Sequence, residues 1–256
     1  MSVAIVTGAS KGLGQVLVLA LAERGWSLVI DARGEDSLEQ TRRAVVQRLV
    51  PGARVVAIAG DVSDASHRQR IVEAAKDLGD VELLVNNAST LGPVPMKQLS
   101  AFDLDDLRLV YEVNTFAPLA LVASALPLLA SSANPRVIDI TSDASVEAYE
   151  GWGGYGSSKA ALDHLGAVLA AEEPAVRVWT VDPGDMRTDM HQDAFPGEDI
   201  SDRPLPESVV PAFIELIEGD LPSGRYRARN LDGATAEVRD GSSEGADASP
   251  EGAGRQ

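Results

Sequence analysis

The chain has 256 residues, enough for one large α/β domain with a covered core. It is 45% hydrophobic but only 4% aromatic, which suits a core of Val, Ile, Leu and Ala, and it has no Cys, which excludes disulfides, a thiolate nucleophile and a cysteine metal site. A formal charge of −17 repels phosphate backbones and argues against nucleic acid, and none of the three His (His67, His164, His191) stands at metal-ligand spacing with another.

The N-terminus carries no basic stretch ahead of its short apolar run, so it reads as a first strand, Val3–Thr7, and not as a signal segment. No apolar stretch is expected to reach the roughly 20 residues of a membrane span, and a cytoplasmic location is expected. The first strand runs into Gly8-Ala9-Ser10-Lys11-Gly12-Leu13-Gly14 and then a helical pattern over Leu13–Arg24. Glycines at a strand-to-helix turn permit close backbone approach to a pyrophosphate, and the helix N-terminus offers N–H donors. Gly8, Ser10, Lys11, Gly12, Leu13 and Gly14 are therefore candidate cofactor contacts.

A second strand, Ser27–Ala32, ends in Asp31-Ala32-Arg33. A carboxylate here would hold a ribose 2′-hydroxyl, whereas Arg would meet a 2′-phosphate. Arg33 with Lys11 favours NADP(H) over NAD, while Asp31 keeps the opposite preference open. After a helix over Ser37–Leu49 comes a third strand, Arg54–Ala59, followed by Asp61-Val62. That pair could contact an adenine, or Asp61 could cap the next helix, Ala65–Leu78. A fourth strand, Leu83–Asn86, leads to Asn87 and Ala88, at the sheet edge where ligands sit in open α/β folds.

A long helix from about Leu104 to Ala130 carries Asn114 within an apolar run, either as a satisfied buried amide or as a group holding a water. The fifth strand, Arg136–Thr141, is followed by Ser142, whose hydroxyl could polarise a carbonyl. On the helix Tyr155–Glu172, Tyr155 and Lys159 share one face, and a nearby ammonium lowers a phenol pKa. The sixth strand, Arg177–Val181, leads to Pro183, Gly184 and Thr188, further cofactor candidates. Trp152, Met186, Met190 and Phe195 are candidates for an apolar substrate wall, and Asp143, Glu147 and Asp185 lie near the same edge. Phe195–Pro206 reads as a loop, followed by a helix near Glu207–Glu218 and a last strand around Arg225–Arg229. Residues 232–256 are acidic, rich in Gly, Ala and Ser, and expected to be a disordered tail to a catalytic domain of residues 1–231. Strands alternating with helices imply right-handed crossovers and a doubly wound parallel sheet of the Rossmann type, with about seven strands.

Taken together, the glycine loop, Asn86-Asn87-Ala88, Asn114, Ser142, Tyr155, Lys159 and the Pro183-Gly184 turn resemble the single-domain short-chain dehydrogenase/reductase family over about Val3 to Arg229. The resemblance implies a tetrad of Asn114, Ser142, Tyr155 and Lys159, NADPH as cofactor, hydride transfer to a small ketone, and a homodimer or homotetramer paired through Thr115–Ala130 and Tyr155–Glu172. A narrower resemblance, carried by Gly151–Tyr155, Ala171–Val178, Pro183–Met190 and Asn87–Gly92, is to sepiapterin reductases and bacterial diketone reductases. Arg and Asn occupy the C-terminal positions where that group carries a pterin-anchoring carboxylate, which implies a dicarbonyl or other small ketone as substrate. Reduction of 3-oxoacyl thioesters and a turnover-free NADP-binding sensor are the alternatives.

Overall fold

Alternation along the strands divides the apolar residues between two faces, and each face is covered by helices. The computed structural model describes residues 1–231; the expected acidic tail lies outside the described residues. The elements are β1 (Ser2–Val6), α1 (Gly12–Glu23), β2 (Ser27–Ala32), α2 (Glu35–Val46), β3 (Val55–Ala59), α3 (Ala65–Leu78), β4 (Asp80–Asn86), α4 (Leu104–Tyr111), α5 (Ala117–Leu129), β5 (Arg136–Ile140), α6 (Gly153–Glu172), β6 (Arg177–Asp182), α7 (Asp189–Ala194), α8 (Val210–Glu218) and β7 (Gly224–Arg227). Seven strands form one parallel sheet in the order β3-β2-β1-β4-β5-β6-β7.

On one face Val6, Ile30, Val85 and Ile138 meet Leu17 and Leu21 of α1 and Phe213 of α8. On the other, Val3, Ile5, Val29 and Leu84 meet Ile71 of α3 and Leu121 and Leu129 of α5. This is the period-two pattern of a sheet buried on both sides. The strand order reverses between β1 and β4, so the carboxyl ends of these two strands open a crevice.

Three local features differ from the sequence expectations. The long helix is interrupted by a π-helical segment, Glu112–Phe116, in which the Ala117 amide reaches back to the Glu112 carbonyl. The helical run Leu104–Leu129 is, by length and composition, long and apolar enough to cross a membrane, contrary to the expectation that no stretch would be; half of its most apolar window is buried inside the domain. The short helix α7, capped by the Thr188 hydroxyl accepting from the His191 amide at 3.2 Å, precedes the expected loop.

Candidate active site

The carboxyl ends of β1, β2, β4, β5 and β6 converge on a single cleft of about 800 Å³. Its cofactor end is built by the glycine turn. Gly8 adopts a φ of +64° and approaches the Ala88 backbone so closely that a Cβ would stand 2.8 Å from the Ala88 Cα. A Cβ on Gly14 would collide with the Gly8 carbonyl and the Asn87 amide. Asn87 holds the turn directly: its Nδ2 donates to the Thr7 carbonyl at 2.9 Å and to the Gly8 carbonyl at 3.0 Å. Thr7 Oγ1 in turn accepts from the amides of Asn87 and Ala88, both at 3.0 Å.

The first turn of α1 carries no acidic residue and no side-chain cap, so its leading N–H groups are left to meet an anion. Ser10, Lys11, Gly12 and Leu13 line the cleft beside it. Thr188 also lines it and stands close to Gly12.

The two ends of the Asp31 carboxylate are already engaged. Oδ1 accepts from the Gly8 amide at 3.0 Å, and Oδ2 meets His67 Nε2 at 3.0 Å. Arg70 donates to His67 Nδ1 at 3.0 Å, which places the ring proton on Nε2, facing Asp31. Burial raises the Asp31 pKa, opposed by these hydrogen bonds. Arg33, by contrast, is exposed at the cleft rim, and Lys11 lies on the same rim, its Nζ 2.9 Å from Asp189 Oδ2.

Asp61 is not the cap of α3. Asp64 takes that place, accepting from the Ser66 amide at 2.8 Å, while Asp61 Oδ1 accepts from the Ser63 amide at 2.9 Å and hydroxyl at 2.7 Å. Both Asp61 and Val62 line the cleft.

The other end gathers Ser142, Tyr155 and Lys159. Tyr155 and Lys159 occupy the buried face of α6, with Lys159 Nζ 5.7 Å from the Tyr155 ring centre and donating to the Ile140 carbonyl at 2.8 Å. Burial pushes the Lys159 ammonium down to about 8, with Asp139 and Asp163 pulling it back up. Burial also holds the Tyr155 phenol above its usual range, and the hydroxyls of Ser89 and Ser142 oppose it only in part. The direction is opposite to the lowered phenol pKa expected from the Tyr-Lys spacing, and burial is its main cause.

Asn114 is fully buried in the π-helical segment. Its Nδ2 donates to the Thr90 carbonyl at 2.9 Å and to Ser158 Oγ at 3.0 Å. Its Oδ1 accepts from Ser89 Oγ at 3.1 Å and the Thr90 amide at 2.9 Å. All four amide positions are filled, leaving none for a water. Of the two readings open from sequence, the satisfied amide describes this side chain.

Trp152, Met186 and Met190 line the cleft, Met190 and Trp152 packing against Tyr155 and Leu91. Phe195 stands behind Trp152, ring centres 5.9 Å apart. Asp143 and Asp185 also face the cleft, together with Asp182, Pro183 and Gly184.

Sequence reasoning missed a polar group beneath Ser142. Arg225, from β7, donates to the Ser142 carbonyl at 3.0 Å and to Asp163 Oδ2 at 3.1 Å, and Ser145 Oγ lies 2.7 Å from the same carbonyl. Asp139, in β5, accepts from Asn86 Nδ2 at 2.7 Å, and burial pushes its pKa up to about 6. The available signal was a charged residue inside the apolar strand Arg136–Ile140, which demands a buried partner.

Comparison with known proteins agrees with this architecture. Residues 2–199 match the family model described as short chain dehydrogenase. The chain is 35% identical to sepiapterin reductase of Mus musculus over 201 residues, 75% of this chain and 77% of that protein. It is 33% identical over 221 residues to a benzil reductase ((S)-benzoin forming) of Saccharomyces cerevisiae, covering 83% and 80%. Among solved structures, an alcohol dehydrogenase of Thermococcus sibiricus complexed with 5-hydroxy-NADP superposes with a TM-score of 0.78 at 28% identity, covering 89% of this chain and 95% of that one. A Shigella flexneri short chain dehydrogenase complexed with NADP gives 0.81 at 25% identity, covering 89% and 97%.

Proposed function

This chain belongs to the short-chain dehydrogenase family and is an oxidoreductase; from that premise we propose that it uses NADPH to reduce the carbonyl of a small ketone or dicarbonyl. The observation that carries this reading is a buried Tyr155 phenol gathered with Ser142 and Lys159 at the end of a cleft that begins at an uncapped helix N-terminus. The named relatives reduce sepiapterin and benzil, and two similar structures hold NADP or its 5-hydroxy form.

The cleft suits the cofactor on three counts: glycines that no Cβ could replace, free N–H groups on α1, and the cations Lys11 and Arg33 at the rim where a 2′-phosphate would lie. Asp31 is committed to Gly8 and His67, which removes the competing carboxylate. When bound, NADPH supplies hydride to the carbonyl carbon. Gly8, Ser10, Gly12, Leu13, Gly14, Asp61, Val62, Asn87, Ala88, Pro183, Gly184 and Thr188 form its cradle.

Ser142 orients the substrate oxygen. Tyr155 gives its proton to that oxygen as negative charge develops, so the products are an alcohol and a phenolate. Lys159 stabilises the phenolate until a proton from solvent restores it. Asn114 is a positioning residue that ties the Ser89–Thr90 segment to Ser158 on α6. Trp152, Met186 and Met190 form the apolar wall. The exposed apolar side chains Phe116 and Leu119 near the start of α5, and Val168 on α6, support pairing of two copies through these helices.

Following NADPH oxidation with a ketone and diketone panel tests the reading. Tyr155→Phe is expected to abolish turnover while NADPH still binds; undiminished turnover in that variant would overturn the assignment.

A further inference from the structure

Three aspartates reach the substrate end of the cleft, and they differ in how their charge is met. Asp182 lies 3.7 Å from Arg227 and 3.9 Å from Arg225. Asp185 lies 3.8 Å from both Arg203 and His191. Asp143 has no such neighbour among the described residues. Its oxygens accept from neutral donors only: the Ser142 hydroxyl at 3.0 Å, the Ala144 amide at 2.8 Å and the Tyr149 hydroxyl at 3.0 Å.

This arrangement has a chemical consequence for Ser142. Its one hydroxyl proton points to Asp143 while its oxygen accepts from the Ala144 amide at 3.2 Å. While it does so, the hydroxyl does not donate to a substrate carbonyl, so substrate must draw the proton away from Asp143. A ligand that supplies a better donor to Asp143 frees the Ser142 proton. A neutral ketone must compete with Asp143 for that proton, and a vicinal diketone also brings a second acceptor up to the carboxylate. A protonated amine can, and charge-assisted hydrogen bonds are about twice as strong as neutral ones.

The surroundings agree with a cation. Tyr149, whose hydroxyl donates to Asp143, lies edge-on to Trp152, ring centres 6.4 Å apart, so the carboxylate's donor belongs to an aromatic pair. His191, only 10% exposed, lines the same cleft. The charge of −17 steers cations toward the chain.

The geometry points to a substrate that bears a protonated amine on the carbon next to the reacting carbonyl, an α-aminoketone, bound with its ammonium on Asp143 and its carbonyl oxygen between Ser142 and Tyr155. This rests on the reductase reading above and narrows its substrate class. Reduction then yields the vicinal amino alcohol: NADPH gives hydride to carbon, Tyr155 gives the proton to oxygen, and the amine is unchanged. The ammonium also offsets a carboxylate that keeps the Tyr155 phenol high, so binding readies both groups together.

The test compares 2-amino-1-phenylethanone with the neutral 1-phenyl-1,2-propanedione and propiophenone, in the wild type and in Asp143→Asn. The wild type is expected to favour the aminoketone in kcat/KM, and Asp143→Asn to reduce that preference at least about tenfold. Binding of 2-amino-1-phenylethanol to the NADP-loaded protein, followed by Trp fluorescence, is expected to weaken to a similar degree in the variant. Equal use of charged and neutral ketones, or a preference that survives in Asp143→Asn, overturns the inference and leaves the reductase reading intact. Tight, Asp143-dependent binding of the amino alcohol with no NADPH oxidation on any ketone upholds the cation site and overturns the reductase reading instead.

Discussion

The Gly8 amide donates to Asp31 Oδ1 at 3.0 Å, so the carboxylate at the end of β2 holds the glycine turn that follows β1. Its other oxygen meets the buried His67 ring on α3. A residue placed where it could read a ribose hydroxyl thus serves as a brace between the turn and a helix.

Removing that brace is expected to destabilise the fold without changing the cofactor. Asp31→Ala leaves the Gly8 N–H and the His67 Nε2–H without an acceptor, and each unpaired buried group costs about 1–3 kcal/mol. For a chain of this size the melting temperature is expected to fall by roughly 5 °C or more. A selective loss of NADH use in this variant, with NADPH use kept, would show that the carboxylate had been a ribose ligand.

Arg33 is the complementary case, a guanidinium at the rim whose proposed partner is a phosphate. Arg33→Ala is expected to raise KM for NADPH about tenfold or more, the loss of one charge-assisted contact. KM for NADH is expected to stay as it is. Steady-state kinetics with both cofactors separate these outcomes, and equal effects on the two would refute a 2′-phosphate contact.

Lys159 sets an alkaline limit. Burial brings its pKa down to about 8, so the ammonium proposed to stabilise the Tyr155 phenolate is lost as pH rises through that value. The kcat/KM for reduction is expected to be level below the limit and to fall above it. The Asp139 charge raises the Lys159 pKa, so Asp139→Asn is expected to move the limb to lower pH. A limb that stays in place would mean that another group sets it.

Gly156 tests the packing behind the chemistry. A Cβ there would collide with the Ala144 backbone carbonyl, in the turn that follows Ser142. Backbone cannot yield as a flexible side chain does, so Gly156→Ala is expected to part Tyr155 from Ser142 and lower kcat by about a hundredfold, since small misplacements of reacting groups carry losses of that order. NADPH affinity, read by fluorescence titration, is expected to change little. Wild-type kcat would show that the helix and turn need not touch so closely.

The sequence by itself determined the order of strands and helices, the glycine turn and the placing of Tyr155 and Lys159 on one buried face. Each depends on local periodicity: two along a strand, 3.6 along a helix, and glycine where a turn needs positive φ. The exact course of Leu104–Leu129 was less legible, because the π-helical segment answers to the contacts of Asn114 and Thr115 with α6 as well as to local preference. Only the tertiary structure decided the rest. It committed Asp31 to Gly8 and His67, filled every hydrogen-bonding position of Asn114, and brought Arg225 under Ser142 across 83 positions of chain. It also buried the Tyr155 phenol, which moves its pKa up. Hydrogen bonds of this kind join residues far apart in the chain, and desolvation depends on everything packed around a group, so neither has a period that a sequence can display.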